Sequence, residues 1–321
     1  MFQTKITEML RIKYPIVGGN MMWISTPEFT ASVSNAGGLG ILCSAMYESR
    51  EAFADAIDHT YKLTDKPFAV NINLFPMMRP IENNEYLDIL IEKGVKIVET
   101  SGHTAPEDLC ARFKEAGLIW IHKCVGVRYA LKVQNLGADI ITVVGYENGG
   151  ATGELDIGTL VLVPRVAESI KVPLIGGGGV SDGRGFLAVL SLGAEGVIIG
   201  TRLLVTQEAP IHKNLKKALV QASEPDTMLI MRSIGATHRV WISTAAKKCR
   251  ELEDAQVSLP EILKIVAGDK AKMMFHTGDL DVGIISCGQS VGLAHDIPTV
   301  KELFDSIISQ ATDIAKKLSM N

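Results

Sequence analysis

Eight short runs of apolar and β-branched residues alternate with amphipathic segments between about Tyr14 and Leu204. This alternation is typical of successive βα units in a parallel sheet. The predicted strands read YPIVGG, LGILCSA, FAVNINLF, VKIVETS, LIWIHKC, DIITVVG, VPLIGGG and GVIIG. Eight such units predict an α/β fold of the (β/α)8 TIM barrel type, and a doubly wound open sheet remains the alternative.

The pattern changes after Leu204, where three helical segments follow one another with no strand predicted between them. They read EAPIHKNLKKALVQA, TAAKKCRELEDA and LPEILKIVAGDKAKMMF. A last amphipathic helix is predicted from Thr299 to Leu318 and is expected to pack on the barrel. The sequence therefore predicts a barrel of residues 1–208 and 292–321 with an appended helical subdomain of residues 209–291.

Composition favours a small-molecule substrate. A net charge of -4 and a pI near 6.0 offer no basic field to nucleic acid or to an anionic membrane surface. No apolar run reaches the roughly 18 residues of a membrane span, and the opening segment lacks the apolar region of a signal peptide. The five cysteines form no CxxC pair, which predicts reduced thiols and a cytoplasmic location. The seven histidines form no metal-binding pattern, so we expect no metal, and a homodimer is compatible with these features.

The glycine-rich segment VPLIGGGGVSDGRG predicts a phosphate site, which Gly200 and Thr201 in GVIIGTRLL complete one unit later. Consecutive glycines let backbone N–H groups approach a phosphate without interference from a Cβ atom. In (β/α)8 barrels the loops after the seventh and eighth strands frequently hold a phosphate, and these are the seventh and eighth predicted strands. The alternative is that Gly176 to Gly179 form only a tight turn.

Other predicted strand ends carry groups that suit a flavin. The carboxyl ends of parallel strands face the ligand in this fold, and they carry Gly19, Asn20, Met21, Asn71, Lys123 and Gly150. A lysine near a flavin ring stabilises the negative charge of the reduced ring. Two alternatives remain: Lys123 is a barrel-interior lysine paired with Glu99, or the barrel binds a sugar phosphate or nucleotide without redox chemistry.

The chain resembles the nitronate monooxygenase and NAD(P)H:quinone reductase family of flavoenzymes. The resemblance rests on PIVGGNMMW, NAGGLGIL, FAVNINLFP, IHKC, GGGGVSDGRG, GTRLL, IMRS and GDLDVGIISCGQSVGL, in that order. It implies non-covalent FMN, with the phosphate at Gly177, Gly178, Gly179, Gly200 and Thr201 and the ring near Gly19, Asn20, Met21, Asn71 and Lys123. It also implies that the appended region covers the barrel mouth.

One departure bears on the reaction, because Ala151 stands where the family usually carries a histidine after the glycine pair of the sixth loop. Nitronate oxidation by the usual machinery is therefore less favoured than NAD(P)H-dependent reduction of a quinone or conjugated acceptor, since hydride delivery needs no protein base. Enoyl-thioester reduction is a further alternative, as is flavin binding without turnover. Tyr146, Glu147 and Thr152 are candidate replacements, although polar loop residues are often only solvated.

A flat substrate is expected to lie against an apolar wall that includes Met22 and Trp23, and the alternative is that these residues only fill the core. His103, after the fourth predicted strand, and Gln289, in the appended region, are further candidate substrate contacts. The alternative for His103 is a capping or solvated histidine. His122 adjoins Lys123 on one strand, so alternation points it away from the active face and predicts a structural role.

Overall fold

The computed structural model describes residues 2–74, 81–102 and 104–319. Each of the eight predicted runs contains one strand of a parallel barrel. Its strands are β1 (Ile16–Gly18), β2 (Gly40–Cys43), β3 (Phe68–Asn73), β4 (Ile97–Ser101), β5 (Ile119–Cys124), β6 (Ile140–Val144), β8 (Leu174–Gly177) and β9 (Gly196–Ile199), and the short β7 (Gly150–Ala151) lies outside it in the loop after β6. The predicted TIM barrel is confirmed.

Two hydrogen bonds close the ring between its first two strands. The Gly18 N–H donates to the Leu39 carbonyl at 2.9 Å, and the Leu39 N–H donates to the Ile16 carbonyl at 2.9 Å. Elsewhere each strand pairs in parallel with its neighbours in the order β1-β9-β8-β6-β5-β4-β3-β2. This closure excludes the doubly wound open sheet.

Helices surround the barrel, and one further helix closes the end of the barrel at which the strands begin. The outer helices are α2 (Pro27–Asn35), α3 (Arg50–Leu63), α4 (Asn83–Glu92), α5 (Cys110–Glu115), α6 (Val127–Asn135), α7 (Thr159–Ala167) and α8 (Gly183–Ser191), and the short α9 (Thr201–Leu204) follows β9. The N-terminal α1 (Lys5–Leu10) buries Ile6 and Leu10 against the inward-facing Ile121 and Ile175. An apolar plug therefore fills the amino-terminal half of the barrel interior.

The C-terminal helix α14 (Val300–Ser319) packs on the barrel as predicted, and it approaches α8 very closely. A Cβ at Gly183 would lie 2.6 Å from the Ile307 carbonyl oxygen, and the Gly183 N–H donates to the Gln310 side chain at 2.7 Å. Asp182 caps α8 by accepting from the Arg184 and Gly185 N–H groups. The SDGRG half of the glycine-rich motif therefore serves helix capping and packing rather than ligand binding.

The appended region contains strands that the sequence pattern did not predict. Besides α10 (Lys213–Gln221), α11 (Thr244–Asp254), α12 (Leu259–Val266) and α13 (Gly268–Thr277), it has β10 (Thr227–Ile230) and β11 (His238–Trp241). These two strands and β7 form an antiparallel sheet in the order β10-β11-β7. The expectation of helices alone was wrong because each strand has only four residues and pairs partly with a distant loop.

A small apolar core of its own lies within the appended region and includes Ile230, Val240 and Ile262. None of the helices within the described ranges combines the length and apolar character needed to span a bilayer.

A buried hydrogen-bond chain joins β4 and β5 on the outer face of the barrel. The Trp120 Nε1–H donates to the Thr100 hydroxyl at 2.7 Å, and that hydroxyl lies 2.7 Å from His122 Nδ1. A hydroxyl that accepts from Trp120 retains its own proton to donate to a neutral imidazole. His122 therefore has the structural role that strand alternation predicted.

We predict that His122 makes the fold acid-sensitive. Burial, assisted by the charge of Lys123, lowers the pKa of His122 from 6.5 to about 4. Between these two pH values His122 is protonated in the unfolded chain but neutral in the folded chain. The free energy of unfolding therefore falls as pH falls through this window. The loss should be on the order of 3 kcal/mol. Urea unfolding at a series of pH values measures it.

His122→Gln removes this titration and should flatten the dependence of the unfolding free energy on pH in that window. His59→Gln is the control, because His59 lies on the surface of α3 and is half exposed. Equal pH slopes for the wild type and His122→Gln would show that another group causes the acid sensitivity.

Candidate active site

A cleft of about 340 Å³ opens at the carboxyl ends of the barrel strands, beneath the appended region. This volume lies in the usual range for small-molecule sites. The cleft brings together many of the predicted site residues: Gly19, Asn20, Met21, Met22, Trp23, Lys123, Glu147, Gly150, Ala151, Gly178, Gly179, Gly200 and Thr201. The predicted residues Asn71, Tyr146, Thr152, Gly177 and Gln289 lie outside its wall, and His103 lies outside the described residues.

The floor of the cleft is a row of polar side chains on three neighbouring strands. Asn73 on β3 pairs in register with Ser101 on β4, which pairs in register with Lys123 on β5. Register partners on adjacent strands point to the same face, here the barrel interior. The row therefore places amide, hydroxyl and ammonium groups together beneath any ligand in the cleft.

Asn71 and Glu99 form the next layer down. Asn71 is fully buried, and its amide donates to Glu99 Oε2 and to Ser101 Oγ. Burial raises the pKa of Glu99, although the charge of Lys123 and the hydrogen bond from Asn71 both oppose this rise. Glu99 Oε2 accepts from Asn71 and Glu99 Oε1 has no hydrogen-bond partner among the described residues, so the alternative of a structural Lys123–Glu99 ion pair is disfavoured.

The two glycine-rich strand ends face the cleft. Their glycines differ in the structural reason for which a side chain is excluded. Gly178 and Gly179 have φ values of +98° and +79°, a region that favours glycine. A Cβ at Gly178 would also lie 2.7 Å from the Gly145 amide nitrogen. At Gly177 a Cβ would lie 2.4 Å from Ile198 Cγ2, so packing between β8 and β9 explains that glycine. Gly200 differs, because a Cβ there would project into open space.

The donor set and the empty space at this end of the cleft fit FMN. Thr201 Oγ1 accepts from the Gly288 N–H at 2.8 Å, so its own proton remains available to a phosphate oxygen. Asn20 Oδ1 is buried and has no hydrogen-bond partner within the described chain. A buried acceptor of this kind needs a donor, which the flavin ring or its ribityl chain offers. Lys123 supplies a positive charge on the floor.

The loop after β6 joins the barrel to the appended region, and its candidate proton donors have structural contacts. The Glu147 carboxylate accepts from the Thr159 N–H at 3.0 Å and from the Thr159 hydroxyl at 2.8 Å, so it caps α7. The Tyr146 ring lies 4.4 Å beneath the Arg239 guanidinium. Thr152 is buried and donates its N–H to the Thr237 carbonyl. Tyr146 and Thr152 therefore lie outside the cleft wall, and Glu147 acts as an acceptor in its contacts with Thr159.

Sequence reasoning missed part of the cleft wall. His238 and Ser286 line it, as do Phe275 and its neighbours on α13, and Cys43 lines it from the barrel side. His238 gave no local signal, since β11 was not predicted and its pairing with β7 joins distant parts of the chain. Within the described residues no group of three or more His, Cys, Asp or Glu side chains is arranged to hold a metal ion.

The chain is similar to known proteins along nearly its whole length. The nitronate monooxygenase family profile matches residues 3–310. An octahydro-1H-indene-4-carboxyl-CoA dehydrogenase of Rhodococcus jostii is 32% identical over 96% of this chain and 96% of its own length. A probable nitronate monooxygenase of Staphylococcus saprophyticus is 28% identical over 98% of this chain and 99% of its own length. FabK of Thermotoga maritima superposes with a TM-score of 0.91 at 33% identity and covers 99% of both chains.

Gly200→Ala tests the phosphate end of the cleft. Because the new Cβ meets no protein atom within 4 Å, the stability of the apoprotein should change by less than about 0.5 kcal/mol. FMN affinity should fall roughly tenfold or more, equivalent to about 1.4 kcal/mol, because the methyl group enters the space of the phosphate. Fluorescence titration of apoprotein with FMN measures this.

Gly126→Ala is the matched control, since Gly126 is also a helix N-cap with φ outside the positive region, and it lies away from the cleft. FMN affinity that is the same in both variants and the wild type would place the phosphate elsewhere.

Lys123→Met tests the charge on the floor. Loss of a cation that favours the reduced, anionic ring should lower the reduction potential of bound FMN, by on the order of 30 mV or about 1.4 kcal/mol for a two-electron couple. Spectroelectrochemical titration measures the potential. Lys216→Met is the control, because it removes a buried lysine of α10 outside the cleft. An unchanged potential in Lys123→Met would assign Lys123 a structural role.

Proposed function

The chain belongs to the nitronate monooxygenase family of FMN-dependent oxidoreductases, and we propose that it uses NADH or NADPH to reduce a conjugated carbonyl acceptor. The observation that carries the proposal is the methyl group of Ala151 in the cleft wall. The loop keeps its folded form there, since the Ala151 carbonyl accepts from Asn148 Nδ2 at 3.1 Å. The family resemblance places an acid–base histidine at this position, and a methyl group in its place disfavours nitronate oxidation more than hydride delivery.

FMN, when bound, supplies hydride transfer between the nicotinamide and the acceptor. The chain supplies binding and electrostatics. Gly178, Gly179, Gly200 and Thr201 would hold the phosphate of the cofactor, and the row of Asn73, Ser101 and Lys123 would contact its ring. In this assignment Asn73 takes the ring contact that the family resemblance implied for Asn71, because Asn71 lies one layer deeper.

The appended region, residues 209–291, covers the barrel mouth in this proposal. Val266, Ala271 and Phe275 from this region line the cleft, opposite Met22 and Trp23 at the end of β1. Lys272 Nζ lies 4.5 Å above the Trp23 ring, so the two walls are in contact. Two apolar walls exclude water and suit a flat, conjugated substrate.

An enoyl thioester is the favoured acceptor within this class. The relative from Rhodococcus jostii is named for a carboxyl-CoA compound, and this chain matches 96% of its length. A thioester carbonyl conjugated to a C=C bond accepts hydride at its β-carbon, as a quinone accepts hydride on its ring. The second candidate function is nitronate oxidation, which the name of the staphylococcal relative supports.

The proposal predicts that a nicotinamide bleaches the visible flavin absorbance in anaerobic stopped-flow mixing. An enoyl-CoA or a quinone should then restore it. Nitronate-dependent oxygen consumption should be slower than acceptor reduction by about 10²-fold or more, which is the usual effect of a missing acid–base group. The staphylococcal relative, assayed in parallel, is the control for the nitronate assay. Fast nitronate turnover without reduction by either nicotinamide would reverse the ranking of the two functions.

A further inference from the structure

Reduction of a conjugated acceptor consumes a hydride and a proton, so the cleft needs a proton donor. Among the described residues that line the cleft, four have titratable side chains: Cys43, Lys123, Glu147 and His238. Three of them have contacts that make them poor donors. His238 remains.

Glu147 is an acceptor that caps α7, because its carboxylate accepts hydrogen bonds from the Thr159 N–H and from the Thr159 hydroxyl. The Cys43 thiol is buried against Met22, with the two sulfur atoms 3.9 Å apart. Lys123 contributes its positive charge to the floor, and donation of its proton would remove the charge that stabilises a reduced ring.

His238 is the first residue of β11, and its imidazole stands in the cleft wall. Its Nε2 atom lies 3.2 Å from the Ser286 hydroxyl, which also lines the cleft. Gly150 lies beside this pair, because a Cβ at Gly150 would lie 3.6 Å from His238 Nε2 and 3.6 Å from Ser286 Oγ. Ser286 is exposed, so water reaches the pair from outside. Imidazole is the side chain most readily protonated and deprotonated near neutral pH.

The β-sheet register places His238 directly opposite Ala151 on β7. Side chains of opposed residues in an antiparallel pair project to the same face, with Cβ atoms about 4.5–5.5 Å apart. The imidazole of His238 therefore reaches the region of the cleft that a longer side chain at position 151 would enter from the neighbouring strand.

We propose that His238, oriented by Ser286, is the proton donor for the reduced acceptor. This role rests on the proposed function. The nicotinamide nucleotide provides the hydride that forms a C–H bond at the β-carbon of the acceptor, and the C=C π bond breaks. The proton leaves a ring nitrogen of His238 and forms the C–H bond at the α-carbon, and the neutral imidazole regains a proton from water. Nitronates enter as anions that need no such donor.

His238→Gln tests this role, because an amide keeps a hydrogen bond to Ser286 but does not transfer a proton. Reduction of the flavin by the nicotinamide should keep its wild-type rate, as should FMN affinity and the flavin reduction potential. Reoxidation of the flavin by crotonyl-CoA should slow by about 10²- to 10⁴-fold. Ser286→Ala should slow the same step by only about 3- to 10-fold, because it removes one orienting hydrogen bond. His295→Gln, at an exposed position away from the cleft, should behave as the wild type.

Relocating the imidazole gives the second test. Ala151→His in the His238→Gln background should recover a part of the lost rate, whereas Ala151→Gln in the same background should not. Equal reoxidation rates in the wild type and His238→Gln, or loss of FMN binding in His238→Gln, would overturn the assignment. Failure of wild-type protein to accept electrons from a nicotinamide would instead overturn the proposed function, since that step does not involve His238.

Discussion

On β3, β4 and β5 the inward-facing residues change from apolar to polar along the strand direction, and the site depends on this change. On β4 the inward series runs from Ile97 through Glu99 to Ser101, and on β5 it ends at Lys123. The apolar half, plugged by α1, stabilises the barrel by excluding water. The polar inward-facing side chains are therefore confined to the carboxyl-terminal half of the barrel interior, which opens to the cleft.

Glu99 shows how the two halves affect each other. It is inward-facing and buried between the apolar plug and the polar row, so its carboxyl is driven toward the protonated form. A charged Glu99 would cancel the field of Lys123. Because burial shifts Glu99 away from its charged form, it weakens this opposition and favours a positive floor beneath the cleft.

The loop after β6 and the appended region hold the cleft wall together. The pairing of β7 with β11 covers only two residues of β7, but further contacts reinforce it. Thr237 donates its N–H and its hydroxyl to Glu154, and Arg232 forms an ion pair with Asp156. Because the barrel loop and the appended sheet share these contacts, His238 has a fixed position relative to the strand ends.

The sequence by itself determined the eight strands, the glycine-rich ends after the seventh and eighth of them, and the place of Lys123. These features depend on local rules: a period of two in strands, the backbone freedom of glycine, and the meeting of parallel strand ends at one edge. Only the tertiary structure decided which of these residues line the cleft. Gly177 packs against Ile198, Asn71 lies beneath the floor, and Glu147 caps a helix, because neighbours distant in sequence determine each contact. Sequence reasoning could not identify His238 for the same reason. Its position opposite Ala151 results from a strand pairing that no local sequence pattern encodes.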